Sequence, residues 1–224
     1  MSQNILASQS LFGTPRSLAR ISIAAAATFL TILFLLHFLE PEFDPTWRMI
    51  SEYELGRYGW MMSLAFFCWG VSVLSLLAAL WPSLQTIGGK IARWWLILIG
   101  IALFGAGIYK TNPILETAIT TENTVHTICG AIVILTFPIV ASLISGSLSR
   151  NQGWVSSKRQ LLRGTLLVWF SQIAFFGSLI VSRIINPEAG RVGPDVYLGW
   201  PNRFMVVVYI AWLIMVARNS LKTE

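Results

Sequence analysis

Residues 21–60 carry the pattern on which the architecture depends, and they read ISIAAAATFLTILFLLHFLEPEFDPTWRMISEYELGRYGW. The first nineteen residues of this stretch contain no charged side chain, and a polar loop separates them from a second apolar run that begins at Gly59. About 20 apolar residues cross the hydrocarbon core of a bilayer, whereas the apolar core of a signal peptide has roughly 7–15. The pattern therefore predicts a retained membrane-spanning helix over residues 21–39.

The rest of the chain repeats this alternation of apolar runs and short loops. Of its 224 residues, 55% are hydrophobic and 12% are charged, whereas an average soluble domain has about 25% charged residues. The apolar runs predict six spans at about 21–39, 59–81, 91–109, 125–146, 162–185 and 200–217. We therefore predict an all-α fold, a polytopic six-helix transmembrane bundle over residues 21–217, with tails at 1–20 and 218–224. A proline inside the fourth run, Pro138, is tolerated where a neighbouring helix satisfies the carbonyl that it frees.

The distribution of charge predicts the orientation of the bundle. The two tails, the loops after the second and fourth spans and the first residues of the spans that follow those loops carry ten Lys and Arg residues and one acid, Glu224. The opposite side carries six basic and nine acidic residues. The positive-inside rule then places both termini in the cytoplasm of a cell whose plasma membrane holds the protein. The basic clusters are short and belong to no nucleic-acid recognition module, so membrane lipids are the expected partners and nucleic acid is not.

Polar residues suited to chemistry collect on the acidic side of the predicted bundle. The loop between the first two spans holds five of the ten acidic residues of the chain. The middle of each predicted span lacks Asp, Glu, Lys and Arg, which disfavours an ion-coupled transporter. The candidate residues are His37, Asp44, Ser51, Glu52, Tyr53, Glu54, His126, Arg183, Asn202 and Arg203.

The two histidines allow several kinds of site. His126 follows Glu122 by four residues, and it suits a general base, a metal ligand or an axial haem ligand. His37 lies at a similar depth in the first span, so the two could ligate one haem. They could also complete a metal site, such as zinc, with nearby carboxylates. The competing interpretation of each is a histidine that bonds to a neighbouring carbonyl.

The remaining candidates have a chemical and a structural interpretation. Ser51 suits a nucleophile with a histidine as its base, or the start of a helix whose capping box is completed by Glu54. Arg203 suits an interfacial anchor, or an anion holder that binds a lipid phosphate or pairs with Glu52 or Glu54. Arg183 has the same two interpretations, anchor or anion holder. Tyr53 and Asn202 complete the predicted ligand-binding set.

This pattern resembles the DUF998 family of six-span bacterial and archaeal membrane proteins. The resemblance covers nearly the whole chain, and its most specific element is the Ser-Glu-Tyr sequence at 51–53. Its other elements are His37, Asp44-Pro45, Gly56, Gly59, His126, Gly199 and Arg203. Family members tend to read Phe-Pro-x-Asp after the third span, where this chain has Tyr109-Lys-Thr-Asn112-Pro113. The resemblance implies a prokaryotic protein and a six-span architecture, but no reaction.

A looser resemblance is to the alkaline ceramidase and progestin-receptor superfamily of membrane hydrolases. Those proteins hold zinc with Ser, Asp and His groups among seven helices. This chain has six predicted spans and lacks their paired histidines in the last helix. The resemblance therefore implies only a reaction class, and zinc as the cofactor to consider.

These observations lead to one working hypothesis and its rivals. A polar pocket on the acidic side binds, and hydrolyses or transfers, a lipid or small amphiphile. In it His126 is the base or metal ligand, Glu52 and Asp44 are carboxylate partners, and Ser51 is a nucleophile or orienting hydroxyl. The alternative is a non-catalytic accessory subunit or small transporter, in which the same residues only fasten loops to helix ends. A bis-histidine haem protein is the third possibility.

Overall fold

The computed structural model describes residues 14–118, 120–188 and 192–222, and every regular element within them is helical. Six of these helices are long and apolar enough to cross a membrane. We label them α1 (Pro15–Leu39), α2 (Gly59–Leu80), α3 (Ile87–Ile108), α4 (Thr121–Leu148), α5 (Lys158–Ile185) and α6 (Gly199–Ser220). The predicted all-α, six-span, multi-pass fold is confirmed, and the orientation of its termini stays a prediction.

The helices extend beyond the apolar runs at the ends that carry basic residues. α1 begins at Pro15 rather than residue 21, and α5 begins at Lys158 rather than residue 162. At the start of α1, the Thr14 hydroxyl accepts a hydrogen bond from the Ser17 amide at 3.2 Å. Pro15 follows at the first helical position, where its missing N–H costs nothing. Hydropathy marks the edge of an apolar run, whereas the backbone hydrogen bonds of the helix continue into the polar residues before that run. Residues 1–13 and 223–224 of the predicted tails lie outside the described residues.

The six helices form a ring in chain order. Each helix packs on the next, α6 closes the ring on α1, and α2 also contacts α6 across the middle. Lipid tails are as apolar as the side chains that face them, so helix association depends on close packing and hydrogen bonds. Ser22 of α1 bonds to Ser72 of α2 at 3.1 Å, and Ser145 of α4 bonds to Thr165 of α5 at 2.8 Å.

A proline inside α4 is accommodated by its neighbours. Pro138 has no N–H to donate to the carbonyl of Ile134, one turn earlier. The Tyr209 hydroxyl of α6 donates to that carbonyl at 3.2 Å and lies 3.0 Å from Oε1 of Gln172 on α5. A side chain of another helix thus satisfies the freed carbonyl, as the sequence predicts.

The loop between α1 and α2, residues 40–58, is folded over one end of the bundle, and we call it the cap segment. It contains a 3₁₀ helix, Ile50–Leu55, that packs on α2 and α6. That helix follows Met49 without a side-chain cap. The predicted capping box of Ser51 and Glu54 is therefore wrong, because the helix begins too early for Ser51 to lie at its cap. Burial of Glu52, Tyr53 and Glu54 makes the cap segment part of the folded core.

Candidate functional site

Some of the residues predicted to share one pocket line two separate spaces at the cap end of the bundle, and others line neither space. The first, the chamber, has an inner cavity of about 70 Å³ and an outer cavity of about 330 Å³. The second, the groove, lies between α1 and α6, has a volume of about 490 Å³ and is lined by His37 and Arg203. No residue lines both the chamber and the groove. Both cavities of the chamber are lined by Met49, Ser51, His126, Gly130 and Ile134.

The chamber connects the interior of the bundle with the seam between α4 and α5. Its inner cavity reaches Phe66 and Trp69 of α2 and Val206 of α6. Its outer cavity is bounded by Leu135 of α4 and Phe176 of α5, both of which are exposed on the apolar surface of the bundle. The chamber therefore opens sideways, toward the lipid-facing surface.

His126 has one ring nitrogen engaged. Its Nδ1 lies 2.7 Å from the carbonyl oxygen of Tyr109 and 3.1 Å from that of Ala106. Carbonyl oxygens only accept hydrogen bonds, so Nδ1 carries a proton, and in the neutral imidazole Nε2 then carries a lone pair. Within the described part of the chain Nε2 has no hydrogen-bond partner. The buried ring therefore offers a neutral acceptor, or base, in the wall of the chamber.

Glu54 is the acidic neighbour of His126. Its Oε2 lies 3.4 Å from His126 Nδ1, and its Oε1 accepts a hydrogen bond from the Ser63 hydroxyl at 3.2 Å. Burial raises the pKa of Glu54 to about 8, although Ser63, the Thr111 amide and the charge of Lys110 act in the opposite direction. Glu54 is then mostly protonated at neutral pH. Its contact with His126 therefore joins two uncharged groups. The Nδ1–H of His126 donates its hydrogen bond to the carbonyl of Tyr109, which is nearer than Glu54.

Three more polar side chains lie in the chamber wall. Ser51 makes no side-chain hydrogen bond within the described residues and lines both cavities. Asn202 accepts a hydrogen bond from the Ile50 amide at 3.2 Å through its Oδ1, which leaves its NH₂ group as a donor. The indole N–H of Trp69 is buried and has no partner among the described residues, and the residue as a whole is 3% exposed. Buried polar groups left unpaired cost about 1–3 kcal/mol each, so this donor marks a position where an acceptor would be stabilised.

Glu52, a predicted carboxylate partner of His126, bonds elsewhere. Its Oε1 accepts hydrogen bonds from Arg48 Nη1 and from the Ile114 amide, each at 2.9 Å. Burial raises the pKa of the Glu52 carboxyl, whereas the Ile114 amide and the Arg48 charge lower it. Glu52 does not line the chamber. It fastens the cap segment to the loop that follows α3.

Asp44, the other predicted carboxylate, lies on the surface of the cap segment. Its Oδ1 accepts hydrogen bonds from the Thr46 amide at 2.9 Å and from the Thr46 hydroxyl at 2.8 Å. These two bonds lower the pKa of Asp44. Asp44 lines neither the chamber nor the groove, so its geometry is that of a turn-forming residue.

Arg203 connects α6 with the cap segment and α1. Its Nε donates to His37 Nε2 at 2.9 Å, and its Nη2 donates to the Tyr53 hydroxyl at 3.0 Å. Its Nη1 donates to the carbonyls of Arg48 at 2.6 Å and Gly199 at 3.1 Å. Arg203 and Tyr53 are therefore placed at the groove side of the cap segment, away from His126.

His37 has both ring nitrogens engaged. Its Nδ1 lies 2.7 Å from the Leu33 carbonyl, so it carries the proton, and its Nε2 accepts from Arg203. His37 and His126 also line different cavities. Among the described residues there is no group of three or more His, Cys, Asp or Glu side chains that could hold a metal ion. The zinc and bis-histidine haem hypotheses for His37 and His126 therefore gain no support from the geometry.

The sequence analysis missed three residues that shape this end of the molecule. Glu40 is buried, and its Oε1 accepts a hydrogen bond from the Tyr58 amide at the start of α2, although its neighbours in sequence suggest a solvated loop. Trp69 and Gly130 lie inside apolar runs, where nothing in the sequence distinguishes them from packing residues. Arg183, in the last turn of α5, is exposed and lines neither space, and its predicted role stays a prediction.

Comparison with known proteins gives one family match. A family model described as "Protein of unknown function (DUF998)" matches residues 23–219. No curated protein and no solved structure matches the chain. The matched range includes the cap segment and every residue of the chamber and the groove.

Proposed function

Because the chain belongs to the DUF998 family, whose description assigns no activity, we propose a function from the site itself: the protein binds a neutral lipid or small amphiphile in the chamber. The observation that carries this proposal is the indole N–H of Trp69, which is buried without a partner among the described residues in a side chain that lines a cavity together with His126. A ligand carbonyl or hydroxyl oxygen would accept from the indole. A ligand hydroxyl would donate to Nε2 of His126.

The chamber favours an uncharged head group. Its polar side chains offer three hydroxyls, an amide, an indole and an imidazole, and no Asp, Glu, Lys or Arg of the described residues lines either cavity. Arg48, a cation of the cap segment that lines neither cavity, is held by Glu52 at 2.9 Å. An isolated ion in such a space would be strongly penalised.

The inner cavity of about 70 Å³ admits a head group of a few atoms, since one water occupies about 30 Å³ of the liquid. The larger outer cavity, lined by Leu135 and Phe176, suits an apolar tail that reaches the seam between α4 and α5.

Gly130 provides the test of binding. It lies in the wall of both cavities, and a Cβ added to it meets no atom within 4 Å. Gly130→Leu should therefore fill the chamber without distorting α4. We expect wild-type protein in detergent to bind 1-oleoylglycerol, measured by native mass spectrometry, and Gly130→Leu to bind it at least tenfold more weakly.

Gly146→Leu is the matched control for that experiment. Gly146 lies on the same helix, away from the chamber, and its added Cβ also meets no atom within 4 Å. It should bind 1-oleoylglycerol like the wild type. Equal binding by wild type and Gly130→Leu, or no binding by either, would refute the proposal.

A second candidate function is acyl transfer or hydrolysis of the bound amphiphile, because Ser51 and His126 line the same two cavities. In this reaction Ser51 Oγ attacks an ester carbonyl, and its proton passes to Nε2 of His126. The alcohol leaves with that proton, and water then releases the acyl group from Ser51. The carbonyls of Tyr109 and Ala106 hold Nδ1–H throughout, and the Trp69 and Asn202 donors are available to the oxyanion.

A serine-directed fluorophosphonate tests this second function. We expect labelling of Ser51 in the wild type, none in Ser51→Ala, and strongly slowed labelling in His126→Gln. Gly146→Leu should label like the wild type. Protein that binds 1-oleoylglycerol but neither labels nor releases oleate would exclude catalysis while leaving the binding function intact.

We also propose the location of the protein: the plasma membrane of a prokaryote, with both termini in the cytoplasm. The charge distribution supports this orientation, because one side of the bundle carries ten basic residues and one acid. A C-terminal fluorescent-protein fusion should then fluoresce, and a C-terminal alkaline phosphatase fusion should be inactive. The opposite pair of results would reverse the orientation.

A further inference from the structure

Arg203 is a buried cation whose hydrogen-bond partners are all uncharged. The residue is 3% exposed. It donates to an imidazole nitrogen, a phenol oxygen and two backbone carbonyls. Within the described residues no carboxylate lies at ion-pair distance from it; Asp44, whose pKa its charge helps to lower, is exposed in the cap segment. A buried charge without an opposite charge is costly, so this site favours an anion.

The groove beside Arg203 is long and apolar. Apart from His37 and Arg203, it is lined by Leu30, Leu33, Phe34, Phe38, Trp200 and Val207. Leu30 and Phe38 are eight residues apart on α1, which is about 12 Å along a helix axis. Phe34 and Phe38 are exposed on the outer face of α1. The space of about 490 Å³ thus accommodates an acyl chain that lies along the two helices.

The position of Arg203 matches a lipid head group rather than a dissolved ion. Arg203 lies in the first turns of α6, close to Trp200, whose ring is exposed and stacks on His37 with centroids 6.1 Å apart. Exposed tryptophans at helix ends mark the level of lipid head groups. A guanidinium has five N–H donors, and the four hydrogen bonds above leave one on Nη2 without an acceptor in the described chain. A head-group oxygen can take this donor without displacing an existing partner.

We propose that the groove between α1 and α6 is a binding site for an anionic phospholipid. The acyl chain lies along Leu30, Phe34 and Val207, and the phosphate lies at the Arg203 end. The occupant is a lipid because the groove is the apolar approach to the guanidinium. The site shares no lining residue with the chamber, so it stands independently of the proposed function.

A groove-filling variant tests the proposal without removing Arg203, whose loss would disturb the fold. Val207 is 41% exposed in the groove wall, and Val207→Trp should occupy the space of the acyl chain. Val181→Trp is the matched control, since Val181 is 51% exposed on α5 and lines neither the groove nor the chamber. The probes are phosphatidylglycerol and zwitterionic phosphatidylethanolamine with identical chains, added to delipidated protein and measured by native mass spectrometry.

We expect the wild type and Val181→Trp to prefer phosphatidylglycerol about tenfold, and Val207→Trp to lose that preference. All three should bind 1-oleoylglycerol equally if the chamber functions as proposed, so that failure at one site is distinguishable from failure at the other. Equal lipid preference in the wild type and Val207→Trp would overturn the groove proposal. Displacement of phosphatidylglycerol by millimolar inorganic phosphate would also overturn it, by showing a site for a soluble anion.

Discussion

The two sides of the cap segment are built differently, although both lie at the same end of the bundle. On the groove side, a Cβ at Gly199 would overlap the backbone oxygens of Pro45 and Arg48, so cap segment and α6 are in direct contact. On the chamber side, Gly130 has no atom within 4 Å of the corresponding position. The groove side pairs four of the five N–H donors of Arg203, whereas the chamber side leaves the indole N–H of Trp69 without a partner among the described residues, in a residue that lines free volume. The comparison indicates that the groove side stabilises the packing of the cap segment on α6, whereas the chamber side has space for a ligand.

The two histidines make the same comparison at the level of single atoms. Each places its proton on Nδ1 and donates to a backbone carbonyl at 2.7 Å, His37 to Leu33 and His126 to Tyr109. They differ at Nε2, which accepts from Arg203 in His37 and has no partner among the described residues in His126. One imidazole is a fixed structural element, and the other retains its basic nitrogen.

The largest effect should come from removing the cation of the groove side. Arg203→Met removes the side-chain donor of three acceptors, His37 Nε2, the Tyr53 hydroxyl and the Arg48 carbonyl, and a buried polar group without a partner costs about 1–3 kcal/mol. We expect the melting temperature in detergent to fall by about 10 °C, from the usual relation between stability and melting temperature. Arg57→Met, which changes an exposed arginine of the same cap segment, is the control. A variant that melts like Arg57→Met would show that the Arg203 bonds do not hold the two parts together.

A methyl group at Gly199 tests how tightly that side is packed. Gly199→Ala should force the backbone at Pro45 and Arg48 away from α6, because neither oxygen belongs to a flexible side chain. Overpacking of this kind costs about 1–3 kcal/mol. We expect a clear loss of thermal stability together with faster proteolysis within residues 40–58. Unchanged proteolysis would mean that the cap segment can move without cost.

The pH dependence of stability tests the chamber side through Glu54. Its pKa of about 8 in the folded protein stands above the ordinary value of 4.5, so the folded state retains a proton that the unfolded chain has released between these values. The stabilisation from protonated Glu54 is therefore complete below about pH 4.5 and declines as the pH rises to about 8. The slope is at most about 1.4 kcal/mol per pH unit.

Glutamine does not titrate, so Glu54→Gln lacks this loss of stability. Its melting temperature should therefore rise relative to that of the wild type as the pH increases from 5.5 to 8.5. Glu122→Gln, which changes an exposed carboxyl, is the control for a general charge effect. Parallel curves for wild type and Glu54→Gln would mean that Glu54 is already ionised in the folded protein at pH 5.5.

The smallest effect should come from Gly130→Ala. Its methyl group enters open space, and alanine favours a helix over glycine by about 0.5–1 kcal/mol. We expect a melting temperature equal to or slightly above that of the wild type. A loss comparable to that of Gly199→Ala would show that the chamber is as tightly packed as the groove side, and the comparison would fail.

The fold was predictable because hydropathy and length decide it. The runs that end at residues 39 and 185 also end helices α1 and α5 in the structure. The starts of these helices were not predictable from hydropathy, because capping by Thr14 and helix formation by polar flanks leave no apolar signal.

The candidate site was predictable only in part. The ends of the apolar runs indicate which end of the bundle a residue occupies, and His37 and His126 both line spaces at the cap end. They do not indicate where around the ring of helices a side chain lies. His37 and His126 lie in different spaces because their helices, α1 and α4, are not neighbours in the ring. Of the predicted set, Ser51, His126 and Asn202 line the chamber, whereas Glu52 and Asp44 bond within loops.

The bond between Tyr209 and the Ile134 carbonyl has a consequence for which substitutions the chain can accept together. That carbonyl is free only because Pro138 lacks an N–H, so the hydroxyl has this role only while the proline is present. Tyr209→Phe should cost more on its own than alongside Pro138→Ala, which restores the N–H donor to the Ile134 carbonyl but not the hydrogen bond to Gln172. The two positions are thus expected to be epistatic: the loss of stability caused by Tyr209→Phe should be larger when Pro138 is present.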